Sequence, residues 1–252
     1  MSEMIQAHCS EGVLTLVLNR PEKRNALSAG MYQRLAQAFR DAAEDPAVRA
    51  VLLLGQPGVY CAGNELESFL DVEHPGPDMP VFAFMRALAA CPLPVVTAVD
   101  GMAVGIGATL LLHCDLVYAT PRARLQFPFA RLGVCPEFGA SLLLQRVAGR
   151  AHAAEALLIG EPVSAERAHQ WGLISEVVPE SAIGDHARNR AHALALLPVD
   201  AVRTTKRLLR DAEAAQTEAA MAREQIEFLR LLSSAPVQQG LRDYIAARKA
   251  RA

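Results

Sequence analysis

Two apolar runs, VRAVLLLG (48–55) and PVVTAVDG (94–101), constrain the fold more than any other feature of the chain. Neither alternates with polar residues, so each reads as a strand buried on both faces, the kind found in parallel sheets covered by helices. Helical patterns stand between and around them. LSAGMYQRLAQAFRDAAED (27–45) carries Met31, Leu35, Ala38, Phe39 and Ala42 at helical spacing, and PVFAFMRALAAC (80–91) reads as a short helix stopped by PLP. GVLTLVLN (12–19), DLVYAT (115–120) and RLQF (124–127) read as further strands, GIGATLLLHC (105–114) and ASLLLQRVAG (140–149) as helices. Such alternation implies an α/β fold with mostly parallel strands. From about Ala151 the pattern turns almost wholly helical, which divides the chain into a core over 1–197 and a helical region over 198–252. The stripes Ile226, Leu229, Leu232 and Leu241, Ile245 exceed what so small an appendage can bury alone, so this region is expected to pack between subunits.

Bulk properties exclude several classes. The 252 residues suit one domain with a large core, or a core with an appendage, and a net charge of −2 gives no global attraction to nucleic acid or an anionic membrane. Five cysteines, an odd number without a C-x-x-C pair, fit free thiols in a reducing compartment. MSEMIQAHCSEG has no apolar leader, and the longest apolar run, MAVGIGATLLL, is too short to span a bilayer. A cytoplasmic protein is expected.

Three loops hold unusual residues. NRPEKRNALS (19–28) reads locally as a solvated Pro turn. VYCAGNEL (59–66) crowds small residues ahead of two polar ones, although a glycine turn into a helix capped by Asn64 would also account for it. DGMAVGIGATL (100–110) passes from a strand through glycines into a helix. It offers Gly105 and Gly107 of a dinucleotide fingerprint but has Leu110 where the third glycine belongs, so a nicotinamide cofactor is not expected. His113, Cys114 and Asp115 are adjacent and point apart, which rules out a triad among them. The histidines lack metal-ligand spacing. LGVCPEFG (132–139) sets Pro136 and Glu137 at a helix start, where an acid is ordinary.

In order and spacing, NRPEKRNALS, VYCAGNEL, DGMAVGIGATLLLHCDLVYAT, LGVCPEFG and AERAHQWGLISEVVP together resemble the enoyl-CoA hydratase/isomerase (crotonase) superfamily over about residues 10 to 250. The resemblance implies a crotonase-like α/β spiral of repeated ββα units with a C-terminal helical trimerisation region, hence a homotrimer or hexamer. It implies an acyl-CoA thioester substrate, with coenzyme A part of the substrate and no separate cofactor. The backbone N–H groups of Asn64 and Ile106 would hold an enolate-like oxyanion, the small residues allowing the thioester oxygen to approach the main chain. Ala62, Gly63, Glu65 and Leu66, with Gly105 of the glycine-rich loop, would bind the CoA arm, and Arg24 and Lys206 its phosphates.

Departures from the family pattern bear on the reaction. Hydratases of the family use two glutamates; Thr109 stands at one of those positions, and FPFAR (127–131) offers no acid for the other. Threonine is no carboxylate base near neutral pH. The chain resembles instead the Δ3,Δ2-enoyl-CoA isomerases, in which the glutamate after the proline, here Glu137, is the catalytic base. Phe129, Leu132, Val134 and Phe138 are expected to raise its proton affinity. Another crotonase-family reaction (hydratase, hydrolase or decarboxylase) and a non-catalytic acyl-CoA-binding member are the alternatives. The Pro/Gly-rich stretch within 67–85 is expected to form a mobile lid that governs acyl-chain choice.

Overall fold

The two unbroken apolar runs lie side by side at the centre of a six-stranded sheet. The computed structural model describes residues 3–70 and 76–249. Its strands are β1 (Ile5–Ser10), β2 (Val13–Leu18), β3 (Ala50–Leu54), β4 (Val95–Val99), β5 (Met102–Val104), β6 (Leu116–Ala119), β7 (Arg124–Gln126), β8 (Val163–Ser164) and β9 (Glu176–Val177). Its helices are α1 (Ala29–Glu44), α2 (Pro80–Ala89), α3 (Ile106–Thr109), α4 (Ala140–Ala148), α5 (Arg150–Ala154), α6 (Ala165–Gln170), α7 (Ile183–Leu196), α8 (Val199–Leu232) and α9 (Ala235–Lys249). The larger sheet runs β1-β2-β3-β4-β6-β9, antiparallel only at the β1–β2 hairpin. Glu11 and Gly12 turn that hairpin with φ of 51° and 78°, the positive values that two-residue hairpin turns demand. The smaller sheet, β5-β7-β8, pairs parallel and then antiparallel.

All five residues of β3 and all five of β4 are buried because both faces of the sheet are covered. Val51, Leu53, Val95 and Val99 face a core shared with Met31, Leu35 and Phe39 of α1 and Phe84 and Leu88 of α2. Ala50, Leu52, Leu54, Val96 and Ala98 face the other way, onto Ile183, Ala187, Ala191 and Ala195 of α7. The alanines repeat every fourth residue, so one smooth stripe of α7 lies close against the sheet. At about 25 cal/mol per Å² of apolar area removed from water, this double covering is the main source of stability.

Some expectations need revision. The helix read over 105–114 is the four-residue α3 followed by a tighter 3₁₀ turn, Leu110–His113. The helices expected after residue 197 begin with a single 34-residue rod, α8, about 50 Å long. It has neither Gly nor Pro inside it to break the backbone ladder. The apolar stripes there do not require a partner subunit as first argued. Leu232, Leu241 and Ile245 are buried within the chain, α9 packing against the end of α8 and the turns at Leu66–Phe69 and Ala130–Leu132, and of the named residues only Ile226 is strongly exposed, at 65%. Of the expected lid, Leu66–Phe69 forms a 3₁₀ turn and α2 begins at Pro80, while residues 71–75 lie outside the described residues. Among the described residues no helix is long and apolar enough to cross a membrane.

Candidate active site

Backbone pairing aligns the two glycine loops. Cys61 N–H donates to Met102 C=O at 3.0 Å, and Val104 N–H donates back to Cys61 C=O at 3.0 Å, so residues 62–64 run beside the end of β5. Side chains would obstruct this approach. A Cβ on Gly63, whose φ is +91°, would stand 2.7 Å from Val104 O, and one on Gly107 would stand 2.7 Å from Cys61 O.

On its other edge the segment pairs with Leu27. Leu27 N–H donates to Gly63 C=O at 2.8 Å, and Glu65 N–H donates to Leu27 C=O at 3.0 Å. Successive N–H groups of an extended segment point to opposite sides, so Asn64 N–H is turned away from Leu27. Ile106 is the first residue of α3, and the N–H groups of a first helical turn have no intrahelical acceptor. Among the described residues neither Asn64 N–H nor Ile106 N–H meets an acceptor. Ala62, Gly63, Asn64, Leu66 and Gly105 line a cavity of about 240 Å³, closed on one side by Phe228 and Leu241 of the C-terminal helices. Tyr32 of α1 donates its phenol hydrogen to Asn64 Oδ1, fixing that side chain.

Glu137 enters from the loop before α4 and is only 2% exposed. Thr109, at the last position of α3, donates its hydroxyl to Glu137 Oε1 at 2.6 Å, while Oε2 is buried and meets no hydrogen-bond partner among the described residues. Burial pushes the carboxyl up to about 8, opposed by the Thr109 hydrogen bond and assisted by the charge of Glu224. Below that pH the group holds a proton; above it, it is a base. The next residue, Phe138, takes a positive φ of 64°. His113 holds it there, its Nε2 2.7 Å from Phe138 O and its ring stacked on the phenyl at 3.9 Å. Burial lowers His113 to about 4, so it is neutral and Nε2–H donates to the carbonyl. Glu137, Phe138 and His113 line a second, larger cavity of about 650 Å³ with Phe82, Met85 and Met221.

The residues singled out from sequence thus fall into three groups. Ala62, Gly63, Asn64, Leu66 and Gly105 meet on the smaller cavity, and α3 runs from Ile106 to the residue that holds Glu137. Arg24 and Glu65 flank it. Arg24 is exposed, its carbonyl accepts Ala62 N–H at 3.0 Å, and its guanidinium makes no ion pair among the described residues. The Glu65 carboxylate is taken by Arg20 Nη2 at 2.6 Å, its N–H by Leu27 and its carbonyl by Ser68, so Glu65 holds the loop rather than offering itself to a ligand. Lys206 is a correction. It is 6% exposed, and its ammonium donates to Leu93 O at 2.5 Å and Asp115 Oδ2 at 2.7 Å. A lysine so enclosed anchors α8 to the sheet and is not offered to a phosphate. Sequence reasoning missed Tyr32, His113 and Glu224 as partners of the site, and it noted Thr109 for what it cannot do rather than for the carboxyl it holds.

Two mixed sheets with helices wrapped over them, and paired glycine loops presenting free backbone donors, are the build of a crotonase-fold enzyme. A family model described as enoyl-CoA hydratase/isomerase matches residues 8–251, and the chain belongs to that family of acyl-CoA enzymes. It is 38% identical over 256 residues to 1,2-epoxyphenylacetyl-CoA isomerase of Escherichia coli strain K12, covering 98% of this chain and 97% of that protein. It is 33% identical to human enoyl-CoA delta isomerase 2 over 88% of this chain, spanning 58% of that protein's length. The solved structure of OdaA from Pseudomonas aeruginosa superposes with a TM-score of 0.93 at 41% identity, covering 96% of this chain and 99% of that one.

Proposed function

We propose that the protein is a Δ3,Δ2-enoyl-CoA isomerase working through a single carboxyl. The observation that carries this reading is Glu137: buried, raised to about 8, one oxygen held by Thr109 and the other without a partner among the described residues. Glu218 lines the larger cavity with Glu137, while three other acids nearby are engaged, Glu213 by Arg146 among them. Both oxygens of Glu224 accept backbone N–H groups, and Glu65 is paired with Arg20. A net hydration calls for groups that orient and split water, whereas a double-bond shift only moves one proton.

In this mechanism the thioester oxygen accepts hydrogen bonds from Asn64 N–H and Ile106 N–H. The Glu137 carboxylate takes a proton from C2 of the 3-enoyl thioester, leaving a dienolate whose oxygen those donors stabilise. The Glu137 carboxylic acid then returns the proton at C4, so the double bond ends between C2 and C3 and the carboxylate is regenerated. The mostly apolar 650 Å³ cavity beside Glu137 would receive the acyl group. Its size suits a bulky or extended chain, in keeping with the aromatic acyl group in the name of the E. coli relative.

The test is separate feeding of a 3-enoyl-CoA and a 2-enoyl-CoA, with products read by mass spectrometry. Isomerisation without water uptake supports the reading. Efficient hydration would replace it with the hydratase reading, and CoA binding without turnover on any chain tried would leave a non-catalytic binder.

A further inference from the structure

The start of α4, which Glu137 precedes by three residues, is held from a distant part of the chain. Glu224 on α8 accepts Gly139 N–H through Oε2 at 2.5 Å and Ser141 N–H through Oε1 at 2.8 Å. These are N–H groups at a helix N-terminus, which otherwise lack acceptors, and the carboxylate is 6% exposed. Phe138 and Gly139, which join Glu137 to α4, have positive φ of 64° and 73°. A side chain in that conformation persists only where its surroundings enforce it. Cys135 Sγ also contacts Glu224 O at 3.6 Å, so α8 meets the loop on both sides of Glu137.

We infer that Glu224 is a positioning residue for the proposed reaction: from α8 it fixes the turn that aims the Glu137 carboxyl and sets the electrostatic field in which that carboxyl works. The inference rests on the isomerase reading of Glu137.

The neighbouring groups single out Glu224 as the source of that field. Tyr32 from α1 and Cys135 from the loop itself remain protonated in the neutral range, burial raising the phenol well above 10 and the thiol to about 11. His113, from the 3₁₀ turn after α3, stays neutral down to about 4. Arg86 of α2 and Arg210, Glu213 and Glu218 of α8 line the larger cavity with Glu137. Two of these are already engaged, Arg210 by Asp115 and Glu213 by Arg146. Glu224 is raised by its burial, but the Ser141 and Gly139 donors favour its ionised form, and Arg223 adds to that. Its charge works with burial against ionisation of Glu137.

The experiment measures kcat and kcat/KM for a 3-enoyl-CoA from pH 5 to 9.5, with melting temperatures, on full-length wild type, Glu224→Gln and Glu224→Asp. Glu137→Gln is the control. Wild type should rise to a plateau with its inflection near 8. Glu224→Gln removes the charge and leaves one backbone N–H facing an amide, so its inflection should move to lower pH while kcat falls about ten- to a hundredfold. Glu224→Asp keeps the charge and should keep the inflection near that of wild type while losing kcat.

A Glu224→Gln profile that superposes on wild type despite a lower melting temperature would reduce Glu224 to a helix anchor and overturn the inference. Should the Gln variant not fold, carbon-13 carboxyl titration of the unsubstituted protein decides the point. Glu224 ionised at pH 7 supports the inference, and Glu224 protonated there overturns it. Loss of turnover in Glu137→Gln beside an unmoved Glu224→Gln profile sinks this inference alone. An active Glu137→Gln sinks the isomerase reading and this one with it.

Discussion

Replacing Glu137 by Gln should cut turnover by orders of magnitude and, at alkaline pH, make the protein more stable. In the folded chain burial holds the carboxyl's proton up to about pH 8, whereas the ordinary value is 4.5. Below 4.5 both folded and unfolded chains carry the proton, and there is no penalty. Between 4.5 and about 8 only the unfolded chain ionises, so folding stability falls steadily across that window. Above it both states are ionised, and the loss stays constant. At about 1.4 kcal/mol per pH unit, the whole window is worth about 5 kcal/mol. That figure is a ceiling, because local relaxation and water screen even buried charges, and about 2–3 kcal/mol is the working expectation. Gln has nearly the same shape, still accepts the Thr109 hydroxyl and never ionises. Thermal melts of both proteins from pH 5 to 9 should diverge on the order of 5–10 °C in favour of Gln at the alkaline end. Turnover of a 3-enoyl-CoA should fall by about 10²–10⁴-fold. Melting curves that stay parallel across pH would refute the buried neutral carboxyl, and retained turnover would refute its role as base.

Gly63→Ala should cost about 10² in rate, because a Cβ 2.7 Å from Val104 O must push the Asn64 loop off its geometry; steady-state kinetics with unchanged secondary structure would check it. Lys206→Met should leave CoA affinity by calorimetry unchanged and lower stability by about 3 kcal/mol, the buried pair with Asp115 being broken. Arg24→Ala should weaken CoA binding by about 1 kcal/mol, with the difference shrinking at high salt. Light scattering of the full chain is expected to give a homotrimer or hexamer. Truncation after residue 197 should aggregate, since it strips Phe228 and Leu232 from the core and removes Lys206, Arg210 and Glu224; a soluble, active truncated monomer would sink that expectation.

How much of this is legible in the sequence depends on the range of the interaction. The strands β3 and β4 announce themselves because burial on both faces leaves unbroken apolar runs, and Gly63 and Gly107 do so because any Cβ there would stand 2.7 Å from a facing carbonyl oxygen. β1 is silent: five of its six residues are exposed, so IQAHCS carries no pattern of burial. β5 is too short, at three residues, to show any period. Lys206 was misread because a cation on a helix looks the same in sequence whether it meets a phosphate or an aspartate 91 positions away. Glu224 was unreadable for the same reason, its partners Gly139 and Ser141 lying 85 and 83 positions away at the start of another helix. The backbone donors are therefore written locally, in small residues that any reader of the chain can find. The groups that aim and tune the carboxyl are written nonlocally, as single polar residues on otherwise ordinary helices. A substitution on α8, far in sequence from Asn64, Ile106 and Glu137, can thus reach the chemistry directly, and it would look like a surface change to anyone reading the sequence alone.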